Sequence, residues 1–154
     1  KSNNQALYDM LDDVLIPVLH IERLSDLILG KRFARSSSDA QKKAFASEFK
    51  TFLLQSYATA LLKASGKEKV TYAPVNLKPG DDKVKVKAFL TSAAGEQYPI
   101  ILSMSNRSDT QWRAYNIEVA GVNFIRSYRS SFSQTLDEGG IDGLIADLRA
   151  KNTQ

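Results

Sequence analysis

The residues of this chain that could do acid–base or metal chemistry are few and scattered. Its one histidine, His20, sits among apolar neighbours just after Pro17. A metal site would need further ligands at ligand spacing, so His20 reads as structural and no metal is expected. Asp12-Asp13 and Asp137-Glu138 are adjacent pairs. The two side chains of each pair point apart rather than converging, which places them on solvated surface. Serines are frequent, yet none stands in a G-x-S-x-G elbow, and neither a P-loop nor a dinucleotide glycine fingerprint occurs. No spacing here is built to make or break a bond. The chain reads as a non-enzyme without a cofactor.

Charge narrows the partners. The chain has no cysteine, which excludes disulfides and thiolate chemistry, and its net charge of +4 is spread along 154 residues. A nucleic-acid binder concentrates basic residues on one face and interleaves them with aromatics. The nearest approach is Lys83, Lys85 and Lys87, which alternate with Val84, Val86 and Ala88 and so describe the solvated side of a strand. No nucleic-acid partner is expected. Arg126 and Arg129, at i and i+3, would share a helix face and could meet a phosphate, a partner's acidic surface or carboxylates within the fold. No apolar run approaches the roughly 20 residues that span a bilayer, and no cleavable-looking signal segment is present, so the chain is expected to be soluble.

The elements that would position these residues show in the hydrophobic period. Leu7, Met10, Leu11, Val14, Leu15 and Val18 keep an i, i+3, i+4 rhythm, the mark of an amphipathic helix that Pro17 should break. A second helix is expected over about 21–29, stopped by Gly30. Ser38 and Gln41 form a capping box opening the longest helix, with Phe45, Phe49, Phe52, Leu53, Tyr57, Ala60 and Leu61 on one stripe. Four strands follow, separated by short turns: about 70–75, 83–90, 98–104 and 111–119. From Val122 the spacing turns helical again, with Val122, Ile125 and Arg129 in one row and Phe124, Tyr128 and Phe132 beside it. Gly121 supplies the permissive backbone at that corner. Gly139-Gly140 precedes a last short helix carrying Ile141, Leu144, Ile145 and Leu148.

The order is helices (about 5–64), sheet (about 70–119), helices (about 121–151), with no internal repeat or linker to divide it. This predicts a single α+β domain in which helices pack on one face of a curved, four-stranded antiparallel sheet. Such a sheet, lined with apolar side chains, encloses either a filled core or an apolar pocket, and composition does not separate the two.

At the level of residues the chain resembles the MlaC family, the periplasmic phospholipid-binding carriers of the Mla pathway of outer-membrane lipid asymmetry, also called toluene-tolerance proteins. The resemblance runs through Leu29-Gly30-Lys31 with Phe33, Gln41-Lys42-Lys43-Ala44-Phe45, Phe49-Lys50 and Leu53-Leu54-Gln55-Ser56-Tyr57-Ala58. It is strongest in Trp112-Arg113-Ala114-Tyr115-Asn116-Ile117, Gly121-Val122-Asn123-Phe124-Ile125 and Tyr128-Arg129-Ser130-Ser131-Phe132, and ends with Gly143-Leu144-Ile145 and Leu148. Asn116 stands where the family commonly has aspartate, and Asn123 where it commonly has serine.

The resemblance implies export through a signal peptide, which this sequence does not contain, and residence in the periplasm. It implies a pocket for the acyl chains of a glycerophospholipid, with the headgroup near solvent. The implied partners are an inner-membrane ABC transporter complex, for which the protein is the substrate-binding component, and an outer-membrane lipoprotein–porin complex. On this basis the helices are expected to line the pocket with Leu15, Val18, Ile28, Phe49, Phe52, Leu53 and Tyr57. The sheet would add Val84, Val86, Ile100, Leu102, Met104, Tyr115, Ile117 and Val119, and the helix past the corner Val122, Ile125 and Phe132. Arg126 and Arg129 would contact the headgroup or a partner. The alternatives are a small-molecule enzyme of the cone-shaped α+β type and a non-lipid interaction module with a filled core.

Overall fold

The computed structural model describes residues 16–62, 66–107 and 111–154, the side chains of 16 and 58–62 excepted. Most of the amphipathic stretch expected over 7–18, Leu15 included, lies outside the described residues. After a 3₁₀ turn at Ile16–Val18 come α1 (Ile21–Ser36) and α2 (Asp39–Leu62). Five strands succeed them: β1 (Lys69–Tyr72), β2 (Lys83–Thr91), β3 (Gln97–Ser105), β4 (Arg113–Val119) and β5 (Val122–Asn123). The last element is α3 (Phe124–Asn152).

The start of α2 is the expected capping box. The Gln41 amide donates to Ser38 Oγ at 3.1 Å, and the Ser38 amide donates to Gln41 Oε1 at 2.8 Å, so two amides that the helix cannot satisfy find partners locally. His20 caps α1, its Nδ1 accepting from the Arg23 amide. Two expected helix ends are kinks instead. At Gly30 (φ 79°, ψ 166°) α1 breaks but resumes to Ser36, and at Gly140 (φ 65°, ψ −166°) α3 does the same. Both angles lie where a Cβ is unwelcome, so each glycine redirects its helix without ending it.

The sheet is an antiparallel meander in the order β1-β2-β3-β4-β5. It has five strands rather than the expected four, and the added one corrects the reading of Val122 as helical. Ala120 and Gly121 both have positive φ, 50° and 84°, as the two central residues of a type I′ hairpin turn require. The chain therefore folds back on β4, pairing Val122 with Val119 and Asn123 with Glu118, before α3 begins at Phe124.

The buried core lies among the three helices: Leu24, Ile28 and Leu29 of α1, Phe45, Phe49 and Leu53 of α2, and Ile125, Phe132, Leu136, Leu144 and Leu148 of α3. The helices meet the sheet chiefly through β4 and β5. Leu19 adds a parallel bridge to Ala114 at the same edge, with the His20 amide donating to the Ala114 carbonyl at 2.8 Å.

The far end of α3 is latched to α2. Asn152 Nδ2 donates to the Glu48 carboxylate at 2.8 Å and to the Glu48 carbonyl at 2.9 Å, and Arg149 Nε donates to the same carboxylate at 3.1 Å. The hydrogen bond from Asn152, then the hydrogen bond and the charge of Arg149, hold the Glu48 pKa below its ordinary 4.5. A carboxyl group held lower in the fold than in the unfolded chain stabilises fully above the unfolded value, and that contribution is lost as pH falls through the folded one. The stability gap between the wild type and Glu48→Gln should therefore be constant from pH 7 down to about 4.5 and close on further acidification. Urea unfolding across that range checks it.

Candidate functional site

An apolar recess of about 360 Å³ opens where the end of the sheet meets α2 and α3. From the sheet come Ile117, Val119 and Val122, from α3 Phe124, Ser127, Tyr128 and Ser131, and from α2 Tyr57. Its volume is more than twice the roughly 150 Å³ of a dry cavity that binds benzene, and it lies at the small end of ligand sites, about 300–1,000 Å³. Val119 and Val122, 38% and 61% exposed, mark the side open to solvent.

The wall on the helix side is the end of an aromatic ladder. Phe49 and Phe52 of α2 interlock with Phe124, Tyr128 and Phe132 of α3, the Phe49–Tyr128 and Phe49–Phe132 centroids lying 5.2 and 5.9 Å apart at nearly perpendicular planes. Edge-to-face contacts of this kind fix ring orientation, so Phe124 and Tyr128 face the recess from a rigid backing. Burial, and then the Tyr57 hydroxyl, push the Tyr128 pKa well above that of an ordinary phenol.

The recess continues onto the sheet. The strand pairings align Val122, Val119, Ile100, Ala88 and Tyr72 in one row, and Ile117, Leu102 and Val86 in the next. Both rows begin at the recess and run across the helix-facing side. Val84, Val86, Ile100, Leu102 and Met104 are half-buried there, while Lys83, Lys85 and Lys87 are exposed on the opposite face.

Of the residues assigned to a lining, the structure brings together Tyr57, Ile117, Val119 and Val122 at the recess, with Val84, Val86, Ile100, Leu102 and Met104 on the face leading from it. Ile28, Phe49, Leu53, Ile125 and Phe132 do not join them. They are packed into the helical core, with Phe52 against it, because the three helices bury that stripe on one another. Val18 is half exposed on the 3₁₀ turn, away from the recess wall. Tyr115 leaves its row because a bulge in β4 sets Ala114, not Tyr115, opposite Met104. The Arg23 guanidinium instead lies 4.3 Å from the Tyr115 ring centroid.

Arg126 is exposed on the first turn of α3. Arg129, itself exposed, lies against the kink in α1: its Nε donates to the Leu27 carbonyl at 3.2 Å, and a terminal nitrogen reaches the same oxygen. The break at Gly30 frees carbonyls of the turn before it, and Arg129 serves one of them. Phe124, Tyr128, Ser127 and Ser131 line the recess without having been assigned to it. The i, i+4, i+8 row of aromatics was the available signal for the first two.

Asn116 and Asn123 hold the corner at which the recess forms. Asn116 Oδ1 accepts from the amides of Ile117 (2.9 Å) and Ile125 (3.2 Å), and its Nδ2 donates to Asn123 Oδ1 at 3.2 Å. Asn123 Oδ1 in turn accepts from the Arg126 amide at 3.0 Å. These bonds cap α3 and tie it to β4. Asn116→Ala strips that acceptor from two amides and should cost about 1–3 kcal/mol, seen as a lower urea midpoint at unchanged m. Asn116→Asp, which keeps the acceptor, should cost less.

This geometry defines an α+β protein with an apolar, ligand-sized recess at the junction of sheet and helices. Among the described residues no helix is long and apolar enough to cross a membrane, and no three His, Cys, Asp or Glu side chains converge as metal ligands. The family model described as MlaC protein matches residues 1–150, and the chain belongs to the MlaC family. It is 29% identical over 142 residues to the toluene tolerance protein ttg2D of Pseudomonas putida, an alignment covering 92% of this chain and 65% of that protein. The chain thus spans just under two thirds of that relative's length. It is 25% identical over 158 residues to the intermembrane phospholipid transport system binding protein MlaC of Haemophilus influenzae, covering 100% of this chain and 72% of the relative. Among solved structures, the phospholipid-binding protein of Ralstonia solanacearum, determined in complex with a phospholipid, shares the fold. It superposes with a TM-score of 0.85 at 24% identity over 98% of this chain and 83% of that one.

Proposed function

We propose that this protein is a soluble periplasmic carrier that binds the acyl chains of a glycerophospholipid and moves the lipid between membrane complexes. The recess of about 360 Å³, apolar on the sheet side and backed by rigid rings, is the observation that carries this reading. It takes part of one acyl chain. The half-buried rows of Val86, Ile100 and Leu102 leading from it would cover what the recess does not hold. The names of the relatives, a phospholipid transport binding protein among them, support the same ligand class.

The energetics suit a carrier. Exposing acyl chains to water costs roughly 0.8 kcal/mol per CH₂, on the order of 20 kcal/mol for a free lipid, and a dry protein surface removes most of that cost. Bilayer interior and protein interior are similarly apolar, so transfer between them has little driving force of its own. Direction would come from the partners: an inner-membrane ABC transporter complex at one end and an outer-membrane lipoprotein–porin complex at the other. No cofactor or catalytic step enters this role.

Chloroform–methanol extraction of the purified protein followed by mass spectrometry tests it. The expected result is co-purified phospholipid, or uptake of added phospholipid by stripped protein. Absence of both over repeated preparations would sink the proposal.

A further inference from the structure

The recess wall carries hydroxyls and no charge. Its polar side chains are Tyr57, Tyr128, Ser127 and Ser131, and they are not equivalent. Ser131 spends its proton on the Ser127 carbonyl at 3.0 Å. Tyr57 and Tyr128 come from different helices, and their hydroxyl oxygens lie 3.5 Å apart. That is long for an O–H···O bond, which settles at about 2.7–2.8 Å, so neither proton is firmly committed. Each hydroxyl has one proton and two lone pairs. Even when one donates to the other, the acceptor's own proton remains to be donated elsewhere. The raised Tyr128 pKa keeps that hydroxyl protonated at any pH at which the protein would be handled.

A wall of neutral O–H donors, the tyrosine pair and the exposed Ser127, with no cation lining the recess, is a poor match for a phosphate, whose strong partners are charge-assisted. It matches a neutral acceptor that continues into an apolar tail. The carbonyl of an acyl ester has that form.

We infer that Tyr57 and Tyr128 form an ester-carbonyl subsite, in which the hydroxyl pair donates one hydrogen bond to the ester of a glycerolipid whose chain lies against Ile117 and Phe124. The ester would then set how deep the chain enters, with the headgroup left outside. This rests on the lipid-binding reading above and adds to it a preference for ester over ether linkage.

The test compares stripped protein binding dipalmitoyl phosphatidylglycerol with its binding of the dihexadecyl ether analogue, which has the same headgroup and chain length but no carbonyls. Wild type should favour the ester about five- to tenfold, the worth of one hydrogen bond. In Tyr57→Phe/Tyr128→Phe the preference, read as the ratio of the two affinities within the same variant, should fall to about twofold or less. Tyr57→Phe alone leaves the Tyr128 proton to donate and should keep most of the preference. If the double variant does not fold, the carbonyl stretch of ester lipid bound to wild type gives the second reading. It is expected at lower frequency than for the same ester in an apolar solvent, and an unshifted band would overturn the subsite. Equal binding of the two lipids by wild type, or a preference that survives in the double variant, would overturn the subsite while leaving lipid binding intact. Binding of neither lipid would overturn both.

Discussion

Phe49→Ala should lower the unfolding free energy by about 3–5 kcal/mol, the cost of truncating a fully buried ring to a methyl group. Phe49 has no exposed surface and touches the rings of Phe45, Phe52, Phe124, Tyr128 and Phe132 at centroid distances between 5.2 and 6.3 Å. Removing it leaves a hole with partners on every side and no single neighbour free to fill it. Against a typical total stability of about 5–15 kcal/mol, the urea midpoint should fall steeply at unchanged m. Phe52→Ala, at a half-buried position of the same stripe, should cost clearly less. Equal losses at the two sites would mean that Phe49 is not the hub of the ladder. A second effect should accompany the first. Phe124 and Tyr128 both lean on Phe49 and wall the recess, so the surviving folded protein should hold ligand less tightly.

That Phe49 packs into a core of three helices was not legible in the sequence. A stripe of aromatics at helical spacing states that a face is buried, and the spacing is the same whether a helix, a sheet or an acyl chain covers it. Here α3 covers it, a packing partner more than 70 residues away in the chain. Arg129 has the same character. Its hydrogen bonds go to a carbonyl 102 residues away, made available by a glycine kink whose spacing looks like a helix end. Local signals fared better. The capping box at Ser38 is complete within four residues, and the alternation of Lys83 to Leu90 fixes a strand wherever it pairs. Tyr115 shows the limit: alternation gives parity only until a bulge, and the bulge is set by how β3 and β4 pair rather than by either strand. Asn116 and Asn123 carry the opposite lesson, since two polar residues to which the sequence gives no role build a connected hydrogen-bond clamp between strand and helix.

Ile117→Asp should abolish retention of phospholipid while leaving a folded protein. Ile117 heads one of the two apolar sheet rows and lines the recess, so on the proposed reading an entering chain would lie against it. In the empty protein a carboxylate there keeps water from the open side near Val119 and Val122. With an acyl chain in place it would lose that water without gaining a partner, a cost of several kcal/mol. Affinity should drop by about 100-fold or more, equivalent to about 2.8 kcal/mol, measured on stripped protein with added phospholipid. Ile117→Asn separates charge from shape, having nearly the same outline and no charge. It should lose much less, about tenfold. Acidification supplies a second control. Contact with the chain favours the neutral acid, so binding to the aspartate variant should recover as pH falls through the range where that carboxyl protonates, while the asparagine variant stays flat. If both variants lose binding equally and neither responds to pH, the substitution has broken the sheet rather than charged a ligand path. If neither loses binding, the lipid does not lie against β4, and the recess is not its site.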